Sequence, residues 1–382
     1  MSVTTGSKER FHFLDGLRGT ACLMIIFHHA FSANIQKILS NMGMPFLGLN
    51  FANFTQSGVE LFFVLSGAGL LRPYLRGQKK FNTFNYFFRR IKRIYPPYLV
   101  ALLFGASVCW YIHAYPTWYN TKVFHLYFSW PEILKESVII NFDGGYYSLS
   151  WWSLNLEMFF YFLVPLILII FPARERVNNK FVFVAVLITL IVSVSLQLWL
   201  TRYYPSVYSY KRIIPSVFQF ICFPVCFLMG IFLAAKDFGI KEARIFIITG
   251  LVLVSFSWFY QPIMSPGYGL VYAGVITLSF NRNSFKHFFS KPIMIWIGER
   301  SYSLFLVHFS VFYLMDAIAA RFTASASFGY LLFSRGVGIP VALFIGMLLF
   351  NSVERWEARG LVTVDIFWPW QVGRLKINEQ TN

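Results

Sequence analysis

The stretch Leu14–Phe31, LDGLRGTACLMIIFHHAF, is apolar enough to enter a membrane, yet it holds Asp15, Arg18, His28 and His29. An imidazole titrates near neutrality and can take the proton of a hydroxyl. A guanidinium is a permanent cation that holds carboxylates and phosphates. On an α-helix, residues eleven apart share a face to within about 20° and lie about 16 Å apart along the axis. Arg18 and His29 have that spacing, whereas His28 sits about 100° round the helix from His29. The spacing assigns His29 to the Arg18 face and leaves His28 a packing or secondary polar role. Asp15, three residues before Arg18, is placed to pair with it.

Three more apolar segments carry ionisable groups: Glu60 in SGVELFFVLSGAGLL, Glu157 in LSWWSLNLEMFFYFLVP and His308 in GERSYSLFLVHFSVF. Such groups are rare in membrane spans, face the bundle interior and are functional candidates by default. The plain alternative for Asp15, Glu60 and His308 is a structural hydrogen-bond hub. Glu157 falls at a depth matching His29, so an imidazole–carboxylate pair is the expected arrangement, with the carboxylate holding the tautomer. In NTFNYFFRRIKRIYPPYL, Arg89, Arg90 and Arg93 recur at helical spacing ahead of Pro96 and Pro97. Such a cluster can grip phosphates. It can equally set topology and bind anionic lipid, and the residues alone leave both readings open.

Membrane helices must position these groups. The 382 residues are 57% hydrophobic and only 13% charged, where a soluble chain would carry about a quarter charged residues. The expected fold class is all-α, a polytopic membrane bundle of about ten helices. Apolar windows place spans near 13–33, 52–71, 94–115, 146–171, 181–200, 213–235, 243–260, 267–280, 294–320 and 336–353, with 116–145 as an interfacial or re-entrant loop. Residues 1–360 form the membrane domain and 361–382 a cytoplasmic tail. With the N-terminus inside, 23 lysines and arginines fall on the inner side and 8 on the outer, which predicts that both ends are cytoplasmic.

The net charge of +17 then reflects topology rather than nucleic-acid binding. Cys22, Cys109, Cys222 and Cys226 lie in apolar segments without a ligand cluster, so buried thiols and no metal site are expected. No small-residue cleavage site follows the first apolar run, which predicts a retained first helix. No internal repeat of the kind common in transporters is visible.

Taken together and in order, five stretches resemble the acyltransferase family 3 membrane proteins. LDGLRGTACLMIIFHHAF resembles the first-helix pattern of an arginine, ten residues and a histidine, which only His29 satisfies. GVELFFVLSGAGLL, FFRRIKRIYPPY, WSLNLEMFFY and GERSYSLFLVHFSV resemble four later patterns. The chain departs from the family at Ala68, where Phe is frequent, and at Met158 and Phe159, where Glu-Gln often follows the acid.

The resemblance implies a membrane O-acyltransferase that moves an acyl group, acetyl above all, from cytoplasmic acyl-CoA to a hydroxyl of a glycan or glycolipid. Acyl-CoA is a co-substrate, with no permanently bound cofactor, and a bacterial inner membrane is the expected location. It implies His29 and Glu157 as catalytic residues. Arg18, Arg89, Arg90 and Arg93 would bind acyl-CoA, with support from Asp15, Glu60, Ser66, Trp152, Ser153, Ser301, Tyr302 and His308. The competing class is a transporter or channel whose charged groups line a path.

Overall fold

The computed structural model describes residues 11–139, 146–170, 177–203, 223–257, 263–323 and 327–355. All regular structure among them is helical. In chain order the helices are α1 His12–Asn41, α2 Pro45–Gln56, α3 Gly58–Leu75, α4 Thr83–Ala114, α5 Trp118–Lys122, α6 Trp130–Ser137, α7 Trp152–Ile170 and α8 Asn179–Tyr203. They continue as α9 Pro224–Ala235, α10 Ile240–Phe256, α11 Met264–Asn281, α12 Asn283–Phe289, α13 Pro292–Glu299 and α14 Ser301–Ala319. The last, α15, runs over Gly329–Glu354 and includes π-helical turns at Leu332–Val337 and Phe350–Glu354.

Six described segments are long and apolar enough to cross a membrane: Pro45–Leu75, Thr83–Ala114, Trp152–Ile169, Asn179–Trp199, Ser301–Ala319 and Gly329–Glu354. Helix α1 has the length, but Asp15, Arg18, His28, His29, Asn34 and Gln36 dilute its hydropathy. Helices α9 and α10 are short, at 12 and 17 residues. Part of the expected 213–235 and 243–260 spans lies outside the described residues. Exposed Phe183, Ile188, Ile191 and Leu198 on α8 form an apolar face of the kind that lipid covers.

Local chemistry explains where the structure departs from the sequence reading. The expected 294–320 span is broken at Arg300, whose buried guanidinium lies over the Trp296 and Phe350 rings and donates to the Trp296 carbonyl at 3.0 Å. Residues 34–56 are largely helical: α1 continues to Asn41, and Pro45 opens α2, where its missing N–H costs nothing. The 116–145 loop contains α5 and α6, capped by Thr117 and Ser129. Arg335, which falls between the expected 294–320 and 336–353 spans, lies inside α15.

Close approach of α1 to α12 and α13 depends on glycine. A Cβ on Gly16 would meet the Phe289 carbonyl, and one on Gly298 would meet the Asp15 carbonyl. Membrane helices associate through such small residues because lipid is as apolar as the side chains it would replace. Cys22, Cys109 and Cys226 are buried, whereas Cys222 lies outside the described residues. An apolar cluster that includes Cys22, Ile26, Ala30, Leu304, Phe312 and Ala342 joins α1, α14 and α15 around the histidines.

Candidate active site

His29 on α1 meets His308 on α14, with Nδ1 and Nε2 2.9 Å apart and the rings stacked 18° from parallel. The remaining hydrogen bonds fix the tautomers. His308 Nδ1 faces the carbonyls of Phe305 at 2.8 Å and Leu304 at 3.3 Å. A carbonyl only accepts, so that nitrogen carries the proton. His308 Nε2 is then a lone pair, and His29 Nδ1–H donates to it. His29 Nε2 is left unprotonated, with no hydrogen-bond partner among the described residues. Neither ring is hydrogen-bonded to a carboxylate there, so both imidazoles are neutral.

A small cavity opens beside His29, lined by His28, Gln56, Ser150, Trp152, Ser153 and Phe305 among others. Ser153 Oγ donates to the Ser150 carbonyl at 3.3 Å, and buried Trp151 anchors the start of α7 by donating to the Leu306 carbonyl at 3.1 Å.

His28 has a different task. Its Nδ1 donates to the Ala52 carbonyl and Thr55 Oγ1, both at 3.1 Å, and so clips α2 to α1. Removing it deletes two hydrogen bonds worth about 1 kcal/mol each. His28→Ala is expected to lower thermal stability in detergent and to reduce turnover less than about tenfold. A complete loss of turnover in well-folded protein would refute the packing role.

Arg18 pairs with Asp15 at 3.3 Å, as the spacing predicted. Its neighbours in charge are Arg93, Tyr161 and Glu157. Arg90 lies over the Tyr86 and Tyr161 rings, each 5.6 Å from its guanidinium carbon, and its buried Nε has no hydrogen-bond partner among the described residues. Glu157 accepts from the Tyr161 hydroxyl one turn along α7. Thus the structure gives His29 the His308 ring as its hydrogen-bond partner and sets Glu157 among the arginines. Arg89 lies on the same helix face as Arg93, one turn earlier.

The arginine helix is positioned by α14. Tyr302 Oη donates to the Ile94 carbonyl at 2.9 Å, beside Arg93. Pro96 and Pro97 deprive the Lys92 and Arg93 carbonyls of their helical donors at this place. Ser303 donates to buried Glu354 at 2.5 Å, and Glu354 lies within electrostatic range of Arg93.

Glu60 stands apart. It is buried, accepts from Ser265 at 2.7 Å, and faces Tyr268 and Tyr272 on α11. Half-buried Ser66 precedes Gly67, where α3 closes on Gly230 of α9. The Ser301 carbonyl faces the Cys22 thiol at 3.8 Å.

Tyr161, Ser303 and Glu354 escaped the sequence reading. Tyr161 follows Glu157 at i+4, a signal that was available. Nothing local marks Glu354 as a partner of residues fifty positions earlier.

Apolar helices enclosing a hydrogen-bonded histidine pair define an integral membrane protein. Residues 11–352 match the family described as acyltransferase domain, and the chain belongs to that family. Among curated relatives, the "Putative peptidoglycan O-acetyltransferase YrhL" of Bacillus subtilis (strain 168) is 25% identical over 338 residues, covering 80% of this chain and 49% of that protein. "Protein 2 in picA locus" of Rhizobium radiobacter is 36% identical over 121 residues, covering 30% of this chain and 55% of that protein. The chain spans about half the length of the curated relatives it matches. No solved structure matches it.

Proposed function

We propose that this protein transfers an acetyl group from cytoplasmic acyl-CoA to a hydroxyl of a glycan or glycolipid. The observation that carries the reading is the His29 Nδ1–His308 Nε2 hydrogen bond beside a cavity, which leaves His29 Nε2 to accept a proton. As the acceptor oxygen bonds to the thioester carbonyl carbon, Nε2 takes the hydroxyl proton. His308 accepts from the resulting imidazolium throughout. Collapse of the tetrahedral intermediate breaks the C–S bond, and the proton passes from His29 to the departing thiolate. Gln56 and the Trp152 indole supply N–H donors at the cavity for the transient oxyanion.

Arg18, Arg89, Arg90 and Arg93 hold the phosphates of the donor, about 16 Å along α1 from His29. Glu157 serves this site as the internal counter-charge of the arginines. The phosphates reach it from the cytoplasm in a ten-span arrangement with both ends inside, in a bacterial cytoplasmic membrane. Family membership and the name of the Bacillus relative support acetyl as the group and a cell-wall glycan as the acceptor.

The test is direct. Detergent-purified protein receives radiolabelled acetyl-CoA with peptidoglycan fragments and a panel of other glycans. Label on acceptor hydroxyls is expected. No transfer across the panel, combined with solute flux in liposomes, would favour a transporter instead. Within the enzyme, Arg90→Ala is expected to raise the KM for acetyl-CoA about tenfold while kcat changes little, because a charge-assisted hydrogen bond contributes about 1.5–3 kcal/mol. An unchanged KM would remove Arg90 from the donor site.

A further inference from the structure

Asp316 and Arg335 are not used by the chemistry above, and neither is marked by a sequence motif. Asp316 lies two turns beyond His308 on α14, and Arg335 lies in the first π-helical turn of α15. Arg335 donates through both terminal nitrogens to the Asp316 carboxylate, at 2.7 and 3.0 Å. Its Nε donates to the carbonyl of Ala30, the residue after His29, at 3.2 Å. Its guanidinium carbon lies 5.1 Å from the centre of the Phe312 ring, and that ring stands edge-on to His308 at 5.9 Å. The contacts close a ring: Arg335 to Ala30 and His29, His29 to His308, His308 to Phe312, and Phe312 back to Arg335.

We propose that Asp316 and Arg335 are positioning residues that hold the two histidines in register. The inference rests on the reading of His29 as the base. Stability alone gives a weak reason for this ion pair. The side chains are only 6% and 15% exposed, and a buried ion pair is commonly no more stabilising than apolar residues of like volume. Apolar packing, however, lets helices slide by a fraction of an ångström. The planar guanidinium fork fixes direction as well as distance, since three of its donors reach two helices. Tyr119 and Tyr330 lie within electrostatic range of Asp316 and help to enclose the pair. The π-helical turn is the kind of local irregularity that re-aims a side chain at a functional site.

The neutral double variant D316N/R335M separates positioning from folding, because it leaves no buried charge unpaired. Two readouts apply. In protein with its seven histidines labelled with 15N, the His29 and His308 imidazole signals report which nitrogens carry protons. Signals are assigned from His29→Gln and His308→Gln spectra. The wild type is expected to show single, fixed tautomers, and the folded double variant an averaged pattern. Turnover with acetyl-CoA and peptidoglycan fragments is expected to fall about 10- to 100-fold with KM for acetyl-CoA within twofold, since small misplacements at a reacting centre have effects of that size.

A folded double variant with wild-type imidazole signals, or with wild-type turnover, overturns the proposal. Should that variant not fold, R335K carries the same two readouts, because lysine keeps the charge but lacks the fork. A wild-type protein without any acyl transfer counts against the proposed function instead, and the imidazole signals then decide the positioning role by themselves.

Discussion

His29→Ala is expected to lower turnover by about 10²–10⁴-fold, the span that general-base catalysis contributes, while the protein still folds. The effect follows from the hydrogen-bond chain. His308 Nδ1–H is committed to carbonyls of its own helix, and its Nε2 is committed to His29. No other described side chain at the cavity presents an imidazole with its lone pair free except His28, which lies on a different face and is tied to α2. KM for acetyl-CoA is expected to stay within a few-fold, because the arginines lie elsewhere on the bundle. His308→Gln is expected to be milder than His29→Ala, since a glutamine oxygen can still accept from His29 Nδ1. Initial-rate kinetics on purified variants, with a thermal-unfolding check, decide the matter. A His29→Ala protein that retains more than a tenth of wild-type turnover would exclude the base assignment.

Gly298→Val is expected to destabilise the protein by about 3 kcal/mol or more and to leave little folded material after size-exclusion chromatography. The added side chain would start inside the space of the Asp15 carbonyl, and backbone cannot swing aside as a side-chain tip can. Gly16→Val, against the Phe289 carbonyl, is expected to behave alike. The displaced helix is α1, which carries both Arg18 and His29, so any folded remainder should also be slow. Gly336→Ala is the matched control: its nearest neighbour is a leucine methyl group at an ordinary 3.7 Å, and a change within about 1 kcal/mol is expected. Equal stability of Gly298→Val and the control would refute the close-packing account.

What could be read from sequence was whatever one helix decides by itself. The Arg18–Asp15 pair and the different faces of His29 and His28 follow from periodicity along α1, and the structure shows Arg18 with Asp15 and His28 turned to α2. The all-helical membrane character follows from composition. What could not be read was which helices touch. Matching depth pointed to Glu157 as the partner of His29, and only packing of α14 against α1 brings His308 there instead. The break at Arg300 was hidden for a related reason: its guanidinium lies over rings from two helices, so it is tolerated inside an apolar run. The clip between Arg335 and Asp316 joins residues 19 apart on two different helices, and no local pattern pairs them.

The neutrality of the histidine pair bears on how the site meets the electrical state of its membrane. Moving one elementary charge fully across a bilayer involves about 2.3 kcal/mol per 100 mV. Two neutral rings, one of them bonded back to its own helix, offer that field nothing to act on at rest. Charge arises only when a proton shifts onto His29 over a single hydrogen bond, a small part of the membrane's depth. In the proposed orientation the acyl-transfer step is therefore insulated from the transmembrane voltage, and should run at similar rates in energised and depolarised vesicles.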